Sequence, residues 1–200
     1  MVEKRFTNKV VVVTGATKGI GLACAERLKK EGAIVCAIQR GHSSLFDSFE
    51  FDLSKEQDCS MSIDAIIKKH GRIDVLINNA GFGLFGTFSG TDWQRESDML
   101  HLHILTTTHL TKLLLDGMLK RGSGKILNMS SLAAFQPGPL MSIYYASKAY
   151  MLSFSEAIAN ELKGTGITVT ALCPGPTKTS FQEVVSKSAS NNKISFNIIF

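Results

Sequence analysis

The chain has 200 residues, 44% of them hydrophobic and 20% charged, which suits one soluble globular domain with a sizeable core and excludes disordered and fibrous classes. The formal net charge of +5 sits largely at the two ends, where Lys4, Arg5 and Lys9 outnumber Glu3, and Lys178, Lys187 and Lys193 outnumber Glu183. With no arginine-rich stripe and no aromatic-basic interleaving, these read as solvated termini, and no nucleic-acid partner is expected.

The elements follow in chain order. Lys9 to Val13 is a short buried strand that runs into Thr14-Gly15-Ala16-Thr17-Lys18-Gly19-Ile20-Gly21 and a helical pattern from Leu22 to Lys30. A buried strand, a glycine-rich turn and a helix N-terminus together make a site for a dinucleotide pyrophosphate. Ala33 to Gln39, bounded by Gly32 and Gly41, is a second strand. After a short polar stretch, Phe49 to Leu53 reads as a third, and a helix through Ser62 to His70 stops at Gly71. Ile73 to Ile77 is a fourth strand, leading into Asn78-Asn79-Ala80-Gly81. A loop with Gly83, Gly86 and Gly90 carries Phe82, Leu84, Phe85 and Phe88, which serve either a core or a substrate pocket. Asp92 caps a long helix to about Lys120, Gly124 to Ser131 is the fifth strand, and a helix from Ser142 or Ile143 to Leu162 follows. Ile167 to Leu172 is the sixth strand.

Four cysteines, Cys24, Cys36, Cys59 and Cys173, show no Cys-x-x-Cys and no histidine at metal spacing, so the expectation is a reduced cytoplasmic protein without a metal. The first apolar run is four valines, too short for a signal segment, and nowhere do eighteen apolar residues follow one another, so no transmembrane segment is expected.

Tyr144 and Lys148 stand four apart and share a helix face. A phenol beside a fixed ammonium has its pKa lowered toward the working range and can act as a general acid or base. Ser131, thirteen positions upstream, offers a hydroxyl to hold a carbonyl oxygen, with Ser130 as its near rival.

Thr14-Gly15-x-x-x-Gly19-x-Gly21, Asn78-Asn79-Ala80-Gly81, Ser131, Tyr144-x-x-x-Lys148 and Pro174-Gly175 stand in the order and close to the spacing of the short-chain dehydrogenase/reductase family, which the chain resembles from about Lys9 to about Phe181. The resemblance implies a doubly wound, Rossmann-like α/β/α domain over residues 1–181 with about six parallel strands. It implies an oxidoreductase exchanging a hydride between NADP(H) and a carbonyl or alcohol carbon of a small apolar substrate. Ser131, Tyr144 and Lys148 are then catalytic, and His103 stands where the family carries a relay asparagine, to hold a water or simply to fill the core. Cofactor contacts fall to Gly15, Thr17, Lys18, Gly19, Ile20, Gly21, Asn79, Ala80 and Gly81. At the end of the second strand Gln39 stands in place of the usual acid, and Arg40 beside it, with Lys18 in the glycine turn, favours NADP(H), unless they are idle surface cations. Asp52 and Leu53 lie at the adenine, Asp52 also serving as a helix cap. Tyr144 and Lys148 face the nicotinamide ribose, and Pro174, Gly175, Thr177 and Thr179 its amide and the pyrophosphate. Residues 182–200 do not resemble the family's seventh strand and final helix. The expectation is a truncated form whose sixth strand is an edge, partly covered by Ile194 to Phe200, with family-type homo-oligomers weakened. The alternative is a catalytically weak form that binds nucleotide or a partner.

Overall fold

The computed structural model describes residues 4–181 and Val185. The expected pairing of Ile194 to Phe200 lies outside the described residues.

Four successive valines place the centre of the sheet. β1 (Val10–Thr14) is buried along its whole length. Strand alternation sends Val10 and Val12 into one apolar cluster and Val11 and Val13 into another. A strand apolar on both faces needs a layer on each side. β1 accordingly lies between β2 (Ile34–Gln39) and β4 (Val75–Asn78), parallel to both. β3 (Asp47–Glu50) extends the sheet beyond β2, and β5 (Gly124–Met129) and β6 (Ile167–Leu172) extend it beyond β4. The order β3-β2-β1-β4-β5-β6 is the doubly wound arrangement expected. Its switch point between β1 and β4 opens a crevice at the C-terminal ends of the strands, where ligands gather.

On one face, α1 (Gly19–Lys30) presses Ala25 and Leu28 against Val11 and Val13. On the other, α2 (Glu56–His70) and α4 (Thr107–Arg121) bury Ile63, Ile66, Leu110, Leu114 and Met118 against Val10, Val12 and Leu76. α5 (Ser142–Glu161) lies on the same face, where Asn128 of β5 donates to Ser155 Oγ at 2.9 Å. The stretch expected as one helix from Asp92 is α3 (Trp93–Leu100), a π-helical turn (His101–Thr106) and α4. Asp92 does cap it, accepting from the Arg95 N–H at 3.0 Å.

Three features differ from the sequence reading: one strand boundary, one cap and the N-terminal charge. β3 ends at Glu50 because Asp52 turns the chain, its Oδ1 accepting from Ser54 N and Oγ at 3.1 and 2.8 Å. Asp52 is thus not the cap of α2, whose N-cap is Lys55 without a side-chain bond. Nor is the N-terminal charge a solvated tail. Arg5 donates twice to Glu31, at 2.8 and 2.7 Å, and Arg27 also reaches this 1% exposed carboxylate. The Arg5 bonds outweigh burial and hold the Glu31 carboxyl down at about 2. β6 is the outer strand among the described residues, with Thr168, Thr170 and Leu172 exposed.

Candidate active site

The glycine turn after β1 is built by close approach. Gly15 and Gly19 have φ of +67° and +60°, a left-handed conformation that glycine adopts freely. A methyl group at Gly21 would stand 2.3 Å from the Gly15 carbonyl oxygen and 2.3 Å from Asn79 Nδ2. Asn79 is there because its amide donates to the carbonyls of Thr14 and Gly15, both at 3.0 Å. Thr14 Oγ1 returns the tie, accepting from the N–H groups of Asn79 and Ala80 at 2.9 Å each. The ends of β1 and β4 are thereby stapled together.

α1 starts with no acid in its first turn and no side-chain cap from Lys18, which leaves its first N–H groups for an anion. Thr17, Lys18 and Arg40 are exposed around it and Ile20 is half-buried. Thr179 Cβ would lie 3.5 Å from a methyl at Gly19, so the turn after β6 closes over the glycines. In that turn Thr177 Oγ1 donates to the Gly175 carbonyl at 3.0 Å, and the Pro174 carbonyl accepts from Leu132 N at 3.1 Å. At the end of β2, Gln39 donates through Nε2 to the Gly41 carbonyl at 2.9 Å, while its buried Oε1 has no partner. A cradle that a methyl group would fill, an uncapped helix start and an orphaned acceptor fit a dinucleotide. Asp52 is half-buried. Burial pushes its carboxyl up, but the Ser54 bonds and the charges of Arg40 and Lys55 prevail and hold it below the ordinary value. Leu53 beside it is buried, its carbonyl accepting from Thr106 Oγ1 at 2.5 Å.

The fold brings Ser131, Tyr144 and Lys148 together. Ser131 follows β5 and begins a short 3-10 turn, its Oγ accepting from Ala133 N at 3.1 Å and standing close enough to the Tyr144 phenol to lower its pKa. Its rival Ser130 points elsewhere, donating to the Lys148 carbonyl at 2.8 Å. Lys148 is 6% exposed and donates through Nζ to the Met129 carbonyl at 2.8 Å. Burial lowers its amine to about 8. The expected lowering of the phenol does not occur in this arrangement. Burial of Tyr144, 9% exposed, pushes its pKa up, the Ser131 bond offsets only part, and the Lys148 ammonium lies 5.7 Å from the ring centroid.

His103 is delivered inward by the π-helical turn and is 1% exposed. Its Nε2 accepts from the Phe82 N–H at 3.2 Å, which places the ring proton on Nδ1, donated to Ser147 Oγ at 2.8 Å. Ser147 passes the chain on to the Tyr144 carbonyl, also at 2.8 Å. Both ring nitrogens are therefore engaged within the protein, and neither is left to hold a relay water. The imidazole also explains Gly81, where a methyl group would come within 2.6 Å of Nε2.

Burial, then the Lys148 charge, holds the His103 pKa well below 6.5. The ring stays neutral in the folded chain while the unfolded chain takes up a proton below pH 6.5. Its contribution to stability is complete above pH 6.5 and lost as pH falls. Between pH 6.5 and 5, urea midpoints should show wild type losing up to about 1.4 kcal/mol per pH unit through this group. His103→Gln should start lower and lack that slope; an identical slope would contradict the assignment.

A small depression of about 10 Å³, room for roughly one water, lies beside Tyr144, lined among others by Leu84, Met99, Leu140 and Ile143. Leu140 has φ +64°, a conformation a leucine rarely adopts, and its carbonyl accepts from Gly86 N at 2.9 Å. Phe181 packs on the Tyr144 ring at 5.4 Å between centroids. Of the loop phenylalanines, Phe85 is core at 1% exposure and Phe88 lies in solvent at 68%.

Two residues with parts in this region gave no signal in the sequence: Ser147 and Asn128 act through partners distant in the chain, Ser147 on His103 and Asn128 accepting from Asn78 at 2.9 Å. His42 stands against Glu50 at 3.2 Å, His70 against Asp47 at 2.7 Å and His101 against Thr106 at 3.5 Å. Cys36, Asp47 and His70 come within 4.8 Å of one another, but Asp47 is already bonded by Lys69 and His70, and burial pushes the Cys36 thiol up to about 12.

Fold and site together define a doubly wound α/β domain of the dinucleotide-binding class. Residues 9–190 match the short chain dehydrogenase family. The chain belongs to this short-chain dehydrogenase/reductase family of oxidoreductases. It is 35% identical over 183 residues to the ketoacyl reductase HetN of Nostoc sp., covering 85% of this chain and 64% of that protein. Among solved structures, it resembles the 3-ketoacyl-(acyl-carrier-protein) reductase of Brucella melitensis complexed with NADH, at 27% identity and a TM-score of 0.84 over 92% of this chain and 82% of that one. Aldohexose dehydrogenase of Thermoplasma acidophilum gives 27% and 0.85 over 98% and 76%. No helix among the described residues is long and apolar enough to cross a membrane.

Proposed function

We propose that this chain transfers a hydride between NADP(H) and a small carbonyl or alcohol substrate, with Tyr144 as general acid and base. The observation that carries this reading is that Ser131 at the C-terminal end of β5 and Tyr144 and Lys148 on α5 stand together at the same end of the sheet as the uncapped glycine turn after β1. The nicotinamide, when bound, supplies or accepts the hydride. Ser131 holds the substrate oxygen in line with the phenol. Tyr144, whose pKa burial raises, carries its proton at neutral pH and is poised to donate it to a carbonyl oxygen as that oxygen gains charge. Lys148, at about 8, keeps its positive charge through most of the neutral range and favours the phenolate left behind. Gly15 to Gly21, Asn79 to Gly81, Arg40, Asp52, Thr177 and Thr179 are the residues that would hold the cofactor. Ketoacyl reductases among the relatives support a carbonyl substrate.

For the cofactor, the uncharged Gln39 does not repel a 2′-phosphate as an acid would, and the exposed Lys18 and Arg40 offer charge-assisted bonds to it. NADPH should bind at least tenfold more tightly than NADH, about 1.4 kcal/mol. Fluorescence titration at low salt measures this, and Arg40→Ala should narrow the gap. Equal affinities would refute the preference.

A further inference from the structure

Away from the candidate active site, one group of side chains has the chemistry of a metal centre. Cys36 of β2 and Asp47 of β3 are register partners on adjacent parallel strands, and Cys36 belongs to the apolar layer that α2 covers. His70 is the last residue of α2, which Gly71 ends with a φ of +78°. Cys36 Sγ, an Asp47 carboxylate oxygen and an imidazole nitrogen of His70 all lie within 4.8 Å of one another. Around a tetrahedral zinc such atoms stand roughly 3.4–3.8 Å apart, so small side-chain rotations bring them into place. Each donor is held by a different element of the fold. Cys36 is fully buried, whereas Asp47 and His70 are 24% and 15% exposed, which leaves a path from solvent.

The bonds that Asp47 makes in the metal-free chain leave one of its oxygens for an ion. Lys69 Nζ donates to Oδ1 at 2.6 Å, while Oδ2 faces His70 Nε2 at 2.7 Å. An ion that takes the place of the proton between Oδ2 and Nε2 keeps the Lys69 bond, an outer contact of the kind that orients a ligating carboxylate. The imidazole then keeps a single proton, on Nδ1. The thiol proton of Cys36 leaves to solvent, since a coordinating metal deprotonates a thiol outright even where burial otherwise holds that proton on. Thiolate, imidazole and one carboxylate suit zinc, whereas magnesium and calcium take oxygen donors alone.

We propose that Cys36, Asp47 and His70 form a zinc site, with solvent as fourth ligand, that fastens the outer strand β3 to β2 and α2. β3 has four residues and a single neighbour in the sheet among the described residues, so a link across its first residue stabilises that edge. The site shares no residue with the glycine turn or with Ser131, Tyr144 and Lys148, and it stands or falls apart from the proposed reaction.

Cobalt(II) alone, added to the reduced full chain, should give the near-ultraviolet thiolate-to-cobalt band and the visible bands of a tetrahedral site, and zinc should bleach both. Cys36→Val should remove the thiolate band and Cys24→Ser should keep it. Asp47→Asn and His70→Ala should each weaken zinc by roughly tenfold or more in competition with a chromophoric chelator. Zinc should raise the urea midpoint of wild type and leave that of Cys36→Val where it was. No thiolate band, a band that survives Cys36→Val, or a zinc affinity untouched by both Asp47→Asn and His70→Ala would overturn the site. Should Cys36→Val fail to fold, the affinities of the other two variants decide.

Discussion

Tyr144→Phe should lower turnover by roughly 10²–10⁴-fold, the range for loss of a general acid, while NADPH affinity stays within about twofold of wild type. The ring survives the substitution, so its packing against Met99, Ala133 and Phe181 persists, and only the hydroxyl with its proton is removed. Tyr145→Phe is the control. Its ring fills the space over Gly138, where a methyl group would come within 2.2 Å of it, so this tyrosine serves packing and its loss of a hydroxyl should cost little. Initial rates and a fluorescence titration on both variants check this. Activity retained in Tyr144→Phe and lost in Tyr145→Phe would put the register of the site wrong by one residue.

Gly21→Ala should abolish cofactor binding at concentrations that saturate wild type and lower the urea midpoint as well. The added methyl meets a backbone oxygen and the Asn79 amide at 2.3 Å each, and neither can yield without undoing the staple between β1 and β4. Overpacking of this kind costs about 1–3 kcal/mol, and here it opens the cradle meant for phosphate. Gly41→Ala, with nothing within 4 Å of the added carbon, is the matched control and should be silent. Wild-type binding by Gly21→Ala would show that the glycine turn does not form the cofactor site.

The order of elements was legible because hydrophobic period is a local property. The valines of β1 and the apolar runs of β2, β4 and β6 could be nothing but strands of a covered parallel sheet. That Ser131, Tyr144 and Lys148 would lie together was legible through the family resemblance, because one strand end and one helix carry all three. What was hidden depended on which distant groups meet. Asp52 looked like a cap but spends its oxygen on Ser54, and Arg5 looked solvated but is tied to Glu31. The π-helical turn shows no break in the apolar pattern, yet it turns His103 inward, where Ser147 and the Phe82 N–H occupy both nitrogens. The phenol's pKa was misjudged for the same reason, since spacing reveals a neighbouring lysine but not the burial that outweighs it.

The most direct test of the account is to follow the hydride itself. With NADPH carrying deuterium at both C4 positions and a reducible ketone, mass spectrometry of the alcohol should find one deuterium on the carbinol carbon with wild type and roughly a hundredfold less labelled alcohol, or lower still, with Tyr144→Phe in the same time. A chain that binds NADPH yet yields no deuterated alcohol from any ketone offered would contradict the account and leave a nucleotide-binding protein without this chemistry.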